Sequence, residues 1–234
     1  MRLDKFISKA TELSRKESKK ILHASEVTVN DEVVKDPGLH VDIINDDVMW
    51  VGEPLSVATG NRYILLHKPE GFECTLKPKE YPIVTELIAV PELDSLRIAG
   101  RLDVDTTGAL LLSDDGGWLH RVTSPKHEHA KVYELTLADP MDSAAQEKAI
   151  KKVAEGILLE GDHEPTKPAT LEFIDETHAR LILEQGKYHQ VKRMMGYFGN
   201  KVVELHRARI GHITLEGLDK GDSRFLTPEE VENF

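Results

Sequence analysis

The stretch Gly100-Arg101-Leu102-Asp103-Val104-Asp105-Thr106-Thr107-Gly108 joins Leu96-Arg97-Ile98 to the apolar run Ala109-Leu110-Leu111-Leu112. Short apolar runs bounded by turn residues are the pattern of buried strands. A polar loop bracketed by two glycines therefore places a carboxylate, Asp103, between two elements of a core. Taken alone, the loop also suits an Asp-rich turn, in which Asp and Thr side chains bond nearby amides and Gly108 takes a positive φ.

With 234 residues the chain has room for one large domain, or for a small and a medium one. Its longest apolar stretches run to four or five residues, against the roughly 20 needed to cross a bilayer. The N-terminus is charged from Arg2 onward, without the apolar core of a secretory leader. A soluble, cytoplasmic chain with no membrane partner is the expectation. Cys74 is the single cysteine, which excludes an internal disulfide and a cysteine-built zinc site. The net charge of −11 argues against indiscriminate coating of nucleic acid. Charge is uneven, however: residues 1–20 carry seven Lys/Arg against three Asp/Glu, and residues 180–209 carry seven against two. Two basic patches on an acidic body are compatible with a selective RNA binder.

Residues 1–58 read as a separate unit. Leu3, Phe6, Ile7 and Ala10 recur at helical spacing, and Ser14-Arg15-Lys16-Glu17 forms a capping box that opens a second helix. At about 100° per residue, Arg15, Lys16, Lys19 and Lys20 fall within one arc of about 140°, while Ser18, Ile21 and Leu22 lie on another side. One face can pack while the other meets phosphates, or simply solvent. Val27 to Val34 alternates around an Asn-Asp turn, a hairpin pattern, and Val41, Ile43 and Val48 to Val51 suggest further short strands. Pro54 to Gly60 reads as a linker.

Residues 61–234 form the larger unit. It opens with a strand that Pro69 and Gly71 stop, and after Leu112 come a turn at Asp114 to Gly117 and a short helix or turn to Thr123. Lys131 to Leu137 alternates as a strand does, and the pattern predicts a helix over Ser143 to Glu155 closed by Gly156. Strands are expected at Ile157 to Leu159, Ala169 to Ile174, Ala179 to Glu184 and within Lys201 to Leu215. Val191, Met194, Met195 and Phe198 stripe a helix begun at Gln190, and Thr227-Pro228-Glu229-Glu230 starts a final one. Short connections without regular βαβ alternation indicate the α+β class on a mixed, mainly antiparallel sheet.

Several segments resemble known families. Arg2-Leu3-Asp4-Lys5-Phe6, Ser14 to Lys20 and Val27 to Val34 together resemble the S4 RNA-binding domain over about residues 1–50, a family that usually has glycine where His23-Ala24-Ser25-Glu26 runs. For the central loop there are two resemblances. A D-x-D pair after a buried parallel strand is similar to the magnesium phosphohydrolases of the haloacid dehalogenase type, although Ala99-Gly100-Arg101 interrupts the run that such a strand requires. G-R-L-D-x-D-T-T-G resembles the pseudouridine synthases. R-Y-x-L-x-x-K-P-x-G precedes it, and K-V-Y-E-L, E-Q-G-K-Y-H-Q-V-K-R-M and E-L-H-R-A-R-I-G follow, all in that family's order.

That second resemblance implies an isomerase of ribosomal RNA; R-L-D-V-D-T-T-G-A-L-L-L-S-D-D-G-G-W, T-S-P-K-H and K-P-A-T-L-E resemble its small-subunit branch, which implies uridine 516 of 16S rRNA as target and 16S rRNA or a small-subunit assembly intermediate as partner, while relatives acting on large-subunit rRNA share most of these motifs. It implies Asp103 as the catalytic group, with Tyr133 and Lys192 beside it and Leu205 packing beneath the base. The reaction breaks the N1–C1′ bond, turns the base and joins C5 to C1′ without net redox change, so neither cofactor nor metal is expected. A carboxylate can act there as a nucleophile or hold an oxocarbenium-like charge. It must be ionised, which a cation within about 4 to 6 Å favours; Lys192 is expected in that place, with Arg193 as second choice. The uridine must be flipped at a cost of a few kcal/mol, and the Tyr133 ring offers a stacking surface. Arg101, Arg207 and Arg209 are expected on phosphates around the flipped nucleotide, and Arg193 and Arg15, Lys16, Lys19 and Lys20 elsewhere on the RNA. Asp105 is expected to order the loop, and the spacing of His127-Glu128-His129 is too close for a zinc-protease helix. A non-catalytic S4-type assembly factor remains an alternative, and a monomer is expected.

Overall fold

A computed structural model describes residues 1–234 apart from 44, 58–59, 78–79, 91–92 and 125–128. The chain divides into two compact units, Met1–Asn61 with Val90–Glu92, and Arg62–Ala89 with Leu93–Phe234.

In the first unit, α1 (Leu3–Ala10) and α2 (Arg15–His23) precede an antiparallel sheet of β1 (Val27–Val29), β2 (Glu32–Val33), β3 (Val48–Trp50) and β4 (Glu53–Leu55), ordered β2-β1-β3-β4. Leu3, Phe6 and Ile7 share a core with Leu22, Val27, Val29, Val41 and Val48. Ser14 caps α2: its hydroxyl accepts from the Glu17 amide, and the Glu17 carboxylate accepts from the Ser14 amide at 2.9 Å. Asn30 and Asp31 both take positive φ, 51° and 67°, the turn whose twist matches a two-residue hairpin. After α2, Ser25 takes φ 65°, so serine carries the left-handed backbone that glycine adopts without steric penalty. Two expectations are corrected. Val41 and Ile43 form no strand, since the Val41 amide donates to the Met1 carbonyl and its side chain joins the core. Pro54 lies within β4, an edge strand that tolerates a missing donor, so any linker starts later.

The second unit contains β5 (Tyr63–Lys68), β6 (Arg97–Ala99), β7 (Thr106–Ser113), α3 (Gly116–Thr123), β8 (Lys131–Leu137), α4 (Ser143–Glu155), β9 (Thr170–Phe173), β10 (His178–Leu183), α5 (Gln190–Tyr197), β11 (Val202–Ile210), β12 (Ile213–Thr214), β13 (Ser223–Phe225) and α6 (Pro228–Glu232). Its strands form one sheet in the order β13-β5-β7-β11-β8-β10-β9, with β6 on β7 and β12 on β11. Among the described residues every pairing is antiparallel except β7 with β11. The architecture is thus α+β on a mixed, mainly antiparallel sheet.

The apolar run Ala109-Leu110-Leu111-Leu112 is wholly buried in β7, and each such leucine contributes about 1.5–3 kcal/mol of burial. The strand begins earlier than that run indicates because Thr106, Thr107 and Gly108 pair with Leu205, His206 and Arg207 of β11. Only glycine fits at 108. Its φ is 114°, and a Cβ there would stand 2.3 Å from the Arg207 carbonyl oxygen. Ile157 to Leu159, expected as a strand, is none: the Ile157 amide donates to the Thr166 hydroxyl and the Thr166 amide to the Ile157 carbonyl, a local clamp after Gly156. No helix among the described residues is long and apolar enough to cross a membrane.

Candidate active site

Because β7 and β11 run parallel, the segments that enter them reach the same edge of the sheet: the Asp103 loop, and α5 with its approach. There Asp103 Oδ2 lies 3.2 Å from Lys192 Nζ, and Asp103 Oδ1 lies 3.2 Å from His189 Nε2. Lys192 also donates to both Asp105 oxygens, at 2.7 and 2.8 Å. One ammonium therefore spans the two loop carboxylates, and Asp103, one-third exposed, turns into the cleft while Asp105 stays 70% exposed. Burial pushes the Asp105 carboxyl up, but the Lys192 hydrogen bonds and charge outweigh it and hold it below the usual value. Burial likewise pushes the Lys192 ammonium down, and its bonds to Asp105 and Asp103 prevail to raise it.

The main chain of the loop is held by a residue to which the sequence patterns assign no role. Lys68, fully buried at the end of β5, donates to the carbonyls of Pro69, Asp103, Val104 and Thr106 at 3.0, 3.0, 3.3 and 2.8 Å. Burial pushes its pKa down. A charged lysine closing the otherwise apolar run Ile64-Leu65-Leu66 is the signal that points to it, since a buried ammonium persists only where its donors are met.

His189, which the sequence offers as a contact to RNA, instead reaches the Asp103 carboxylate. It precedes α5 with φ 46° and ψ 36°, left-handed for a non-glycine residue, a conformation costing about 1–3 kcal/mol that collects at functional sites. Its spacing of three from Lys192 places both on one side of a helix start, which is the available signal. The Tyr188 ring stacks on it, with centroids 3.8 Å apart and planes 20° apart. The approach segment is anchored at Asp162, whose carboxylate takes Lys187 at 2.8 Å and Arg193 at 2.7 Å. These two cations hold the Asp162 carboxyl below its usual range.

The cleft around Asp103 has a volume of about 990 Å³, within the span of small-molecule sites. Tyr133 on β8 and Leu205 on β11, 8% exposed each, line it, as does the exposed Arg101.

Three expected contacts are corrected. Arg193 is engaged by Asp162 and by the Glu160 and Tyr188 carbonyls, so it does not partner Asp103. Arg207 is buried in the wall of the cleft: Nε donates to the Ala109 carbonyl at 2.7 Å, Nη1 to the Tyr133 hydroxyl at 3.4 Å, and the guanidinium carbon lies 6.0 Å from the Tyr133 ring centre. It braces Tyr133 and, 3% exposed, is part of the cleft wall. A bulge between Arg207 and Arg209 puts Arg207 opposite Tyr133 and Arg209 opposite Val132, so Arg209 leaves the cleft for the other face of the sheet. In the first unit Arg15 is tied to buried Asp4 at 2.8 Å, whereas Lys16, Lys19 and Lys20 are exposed along α2.

His206 is also structural, its Nδ1 lying 2.8 Å from the Thr107 hydroxyl. The phosphohydrolase resemblance fails on topology: the strand before the loop, β6, is three residues long and pairs antiparallel with β7. Among the described residues no group of three or more His, Cys, Asp or Glu is placed to hold a metal ion, while His127 and Glu128 lie outside them.

Residues 62–197 match the family model of RNA pseudouridylate synthase, and residues 1–48 match that of the S4 domain. The chain is 46% identical to the ribosomal small subunit pseudouridine synthase A of Pasteurella multocida, over 100% of this chain and 99% of that protein. It is 43% identical to the protein of the same name from Escherichia coli, over 99% and 98%. A solved structure of a pseudouridylate synthase superposes with a TM-score of 0.68 at 43% identity, covering 100% of this chain and 99% of that one.

Proposed function

The chain belongs to the RNA pseudouridylate synthase family, and on that premise we propose that it converts a uridine of small-subunit ribosomal RNA, uridine 516 of 16S rRNA, to pseudouridine, with Asp103 as the catalytic group. The observation that supports this most is the setting of Asp103. It is a carboxylate in a cleft with a lysine and a histidine at 3.2 Å and a tyrosine on the cleft wall.

In the reaction the N1–C1′ bond breaks, the base turns, C5 bonds to C1′, and the C5 proton leaves while N1 gains one. Atoms and electrons balance within the nucleotide, so no co-reactant is consumed. Asp103 supplies the negative group that attacks or stabilises C1′. Lys192 is its counter-charge and stays bound to Asp105 when an Asp103 oxygen turns to the sugar. Tyr133, held by Arg207, offers its ring to the flipped base, and Leu205 packs beneath it. Arg101 at the rim takes a phosphate.

Residues 1–58 serve as the RNA-binding unit, with Lys16, Lys19 and Lys20 on phosphates, and residues 61–234 as the catalytic unit. On this reading the protein is a monomer acting in the cytoplasm on 16S rRNA or on an assembling small subunit. Chemical mapping of pseudouridine in 16S and 23S rRNA from cells lacking the protein tests the reading. Loss of the mark at one small-subunit uridine, restored by the wild-type chain and not by Asp103→Asn, is expected. An unchanged map rejects it.

A further inference from the structure

Tyr188 is 70% exposed, the most exposed aromatic residue among those lining the cleft. Its ring lies parallel to His189, at a centroid spacing of 3.8 Å and an angle of 20°, and His189 in turn reaches Asp103 with Nε2 at 3.2 Å. The two rings thus form a short stack that starts against the catalytic carboxylate and ends at the mouth of the cleft. The stack is fixed from below, because Arg193 donates to the Tyr188 carbonyl at 3.2 Å and Lys187 and Arg193 both clasp Asp162.

We infer that Tyr188, backed by His189, is a platform on which the nucleobase next to the target uridine stacks. The inference rests on the function proposed above. When a uridine leaves its stack to enter the cleft, its neighbour loses a stacking partner. An aromatic face one ring removed from Asp103 replaces that partner and fixes the register of the strand relative to the carboxylate. Every base has a π-face, so this contact holds the neighbour whatever its identity. Tyr188 then acts as a positioning residue, setting which nucleotide of the strand reaches Asp103.

The test uses the full chain and an RNA fragment carrying 2-aminopurine on one side or the other of the target uridine. With the wild-type chain, binding is expected to quench the probe at one flanking position. Tyr188→Phe keeps the quench, and Tyr188→Leu, which preserves bulk without an aromatic face, loses it. In Tyr188→Leu, KM for unlabelled fragment rises about tenfold, equivalent to ~1.4 kcal/mol, with little change in kcat. Because the side chain is exposed, the variant's thermal melting matches the wild type. An unchanged quench and KM in a folded Tyr188→Leu chain overturn the inference. A wild-type chain that forms no pseudouridine in the fragment contradicts the proposed function instead, and a quench that depends on Tyr188 then still supports a base platform.

Discussion

The Lys68 ammonium donates to the main-chain carbonyl of Asp103 at 3.0 Å, from a site in which the lysine is fully buried. The position of the Asp103 loop therefore depends on a charge at the end of β5, distant in sequence, as well as on its own turn residues. Replacing Lys68 by methionine keeps the apolar stem and leaves the Asp103, Val104 and Thr106 carbonyls without that donor. Unsatisfied buried polar groups cost about 1–3 kcal/mol each, with partial recovery by water. Lys68→Met is expected to lower stability in urea by about 2–4 kcal/mol and to lower kcat further than KM changes.

Gly108 pairs with Arg207 where two strands approach more closely than any side chain allows. Gly108→Ala meets both a positive φ and backbone contact, and is expected to cost about 3–5 kcal/mol. Urea denaturation measures this. Gly71→Ala, with a φ of 85° and open space around it, serves as the comparison and is expected to cost less.

Acid sensitivity of the first unit follows from Asp4. Hydrogen bonds from Arg2, then Arg15, hold this buried carboxyl at about 2 against an ordinary 3.8. A depressed folded pKa contributes stability that is fully present above the unfolded value and disappears as pH falls through the folded one. Stability carried by Asp4 is thus intact above pH 4 and lost between about 4 and 2. Melting temperatures measured across that range are expected to fall less steeply for Asp4→Asn, which starts from a lower plateau.

Exposed lysines on α2 are expected to add a salt-dependent term to RNA binding. Each phosphate neutralised contributes about 0.7 to 0.9 to the slope of log affinity against log salt. Lys16→Ala combined with Lys19→Ala is expected to weaken rRNA binding and flatten that slope by about 1.5, as read by filter binding from low to moderate salt. Arg15→Ala acts differently, through Asp4, and is expected to lower stability more than salt dependence.

Local patterns carried much of this molecule. The capping box at Ser14, the Asn30-Asp31 hairpin and the helix over Ser143–Glu155 are encoded by neighbours in sequence, and the fold follows their periodicity. The motif order brought Asp103, Tyr133, Lys192 and Leu205 into view before their geometry, and the four lie around one cleft. What stayed hidden depends on long-range partners. β7 starts at Thr106 because of β11, Lys68 acts through the carbonyls of a loop far along the chain, and His189 approaches Asp103 only once β7 and β11 are parallel. A bulge separates Arg207 from Arg209, which strict alternation would have put on one face. No local rule marks such a bulge.

The role of Asp103 is tested most directly by hydrogen release at C5, the one covalent change that frees a label to solvent. Ribosomal RNA carrying tritium at uridine C5 is incubated with the wild-type chain and with Asp103→Asn, and RNA binding is followed in parallel. The wild-type chain is expected to release tritium to the extent of one uridine per RNA, and Asp103→Asn to release none while its affinity stays within a few-fold. Tritium release by Asp103→Asn at the wild-type rate would contradict the assignment of the catalytic group.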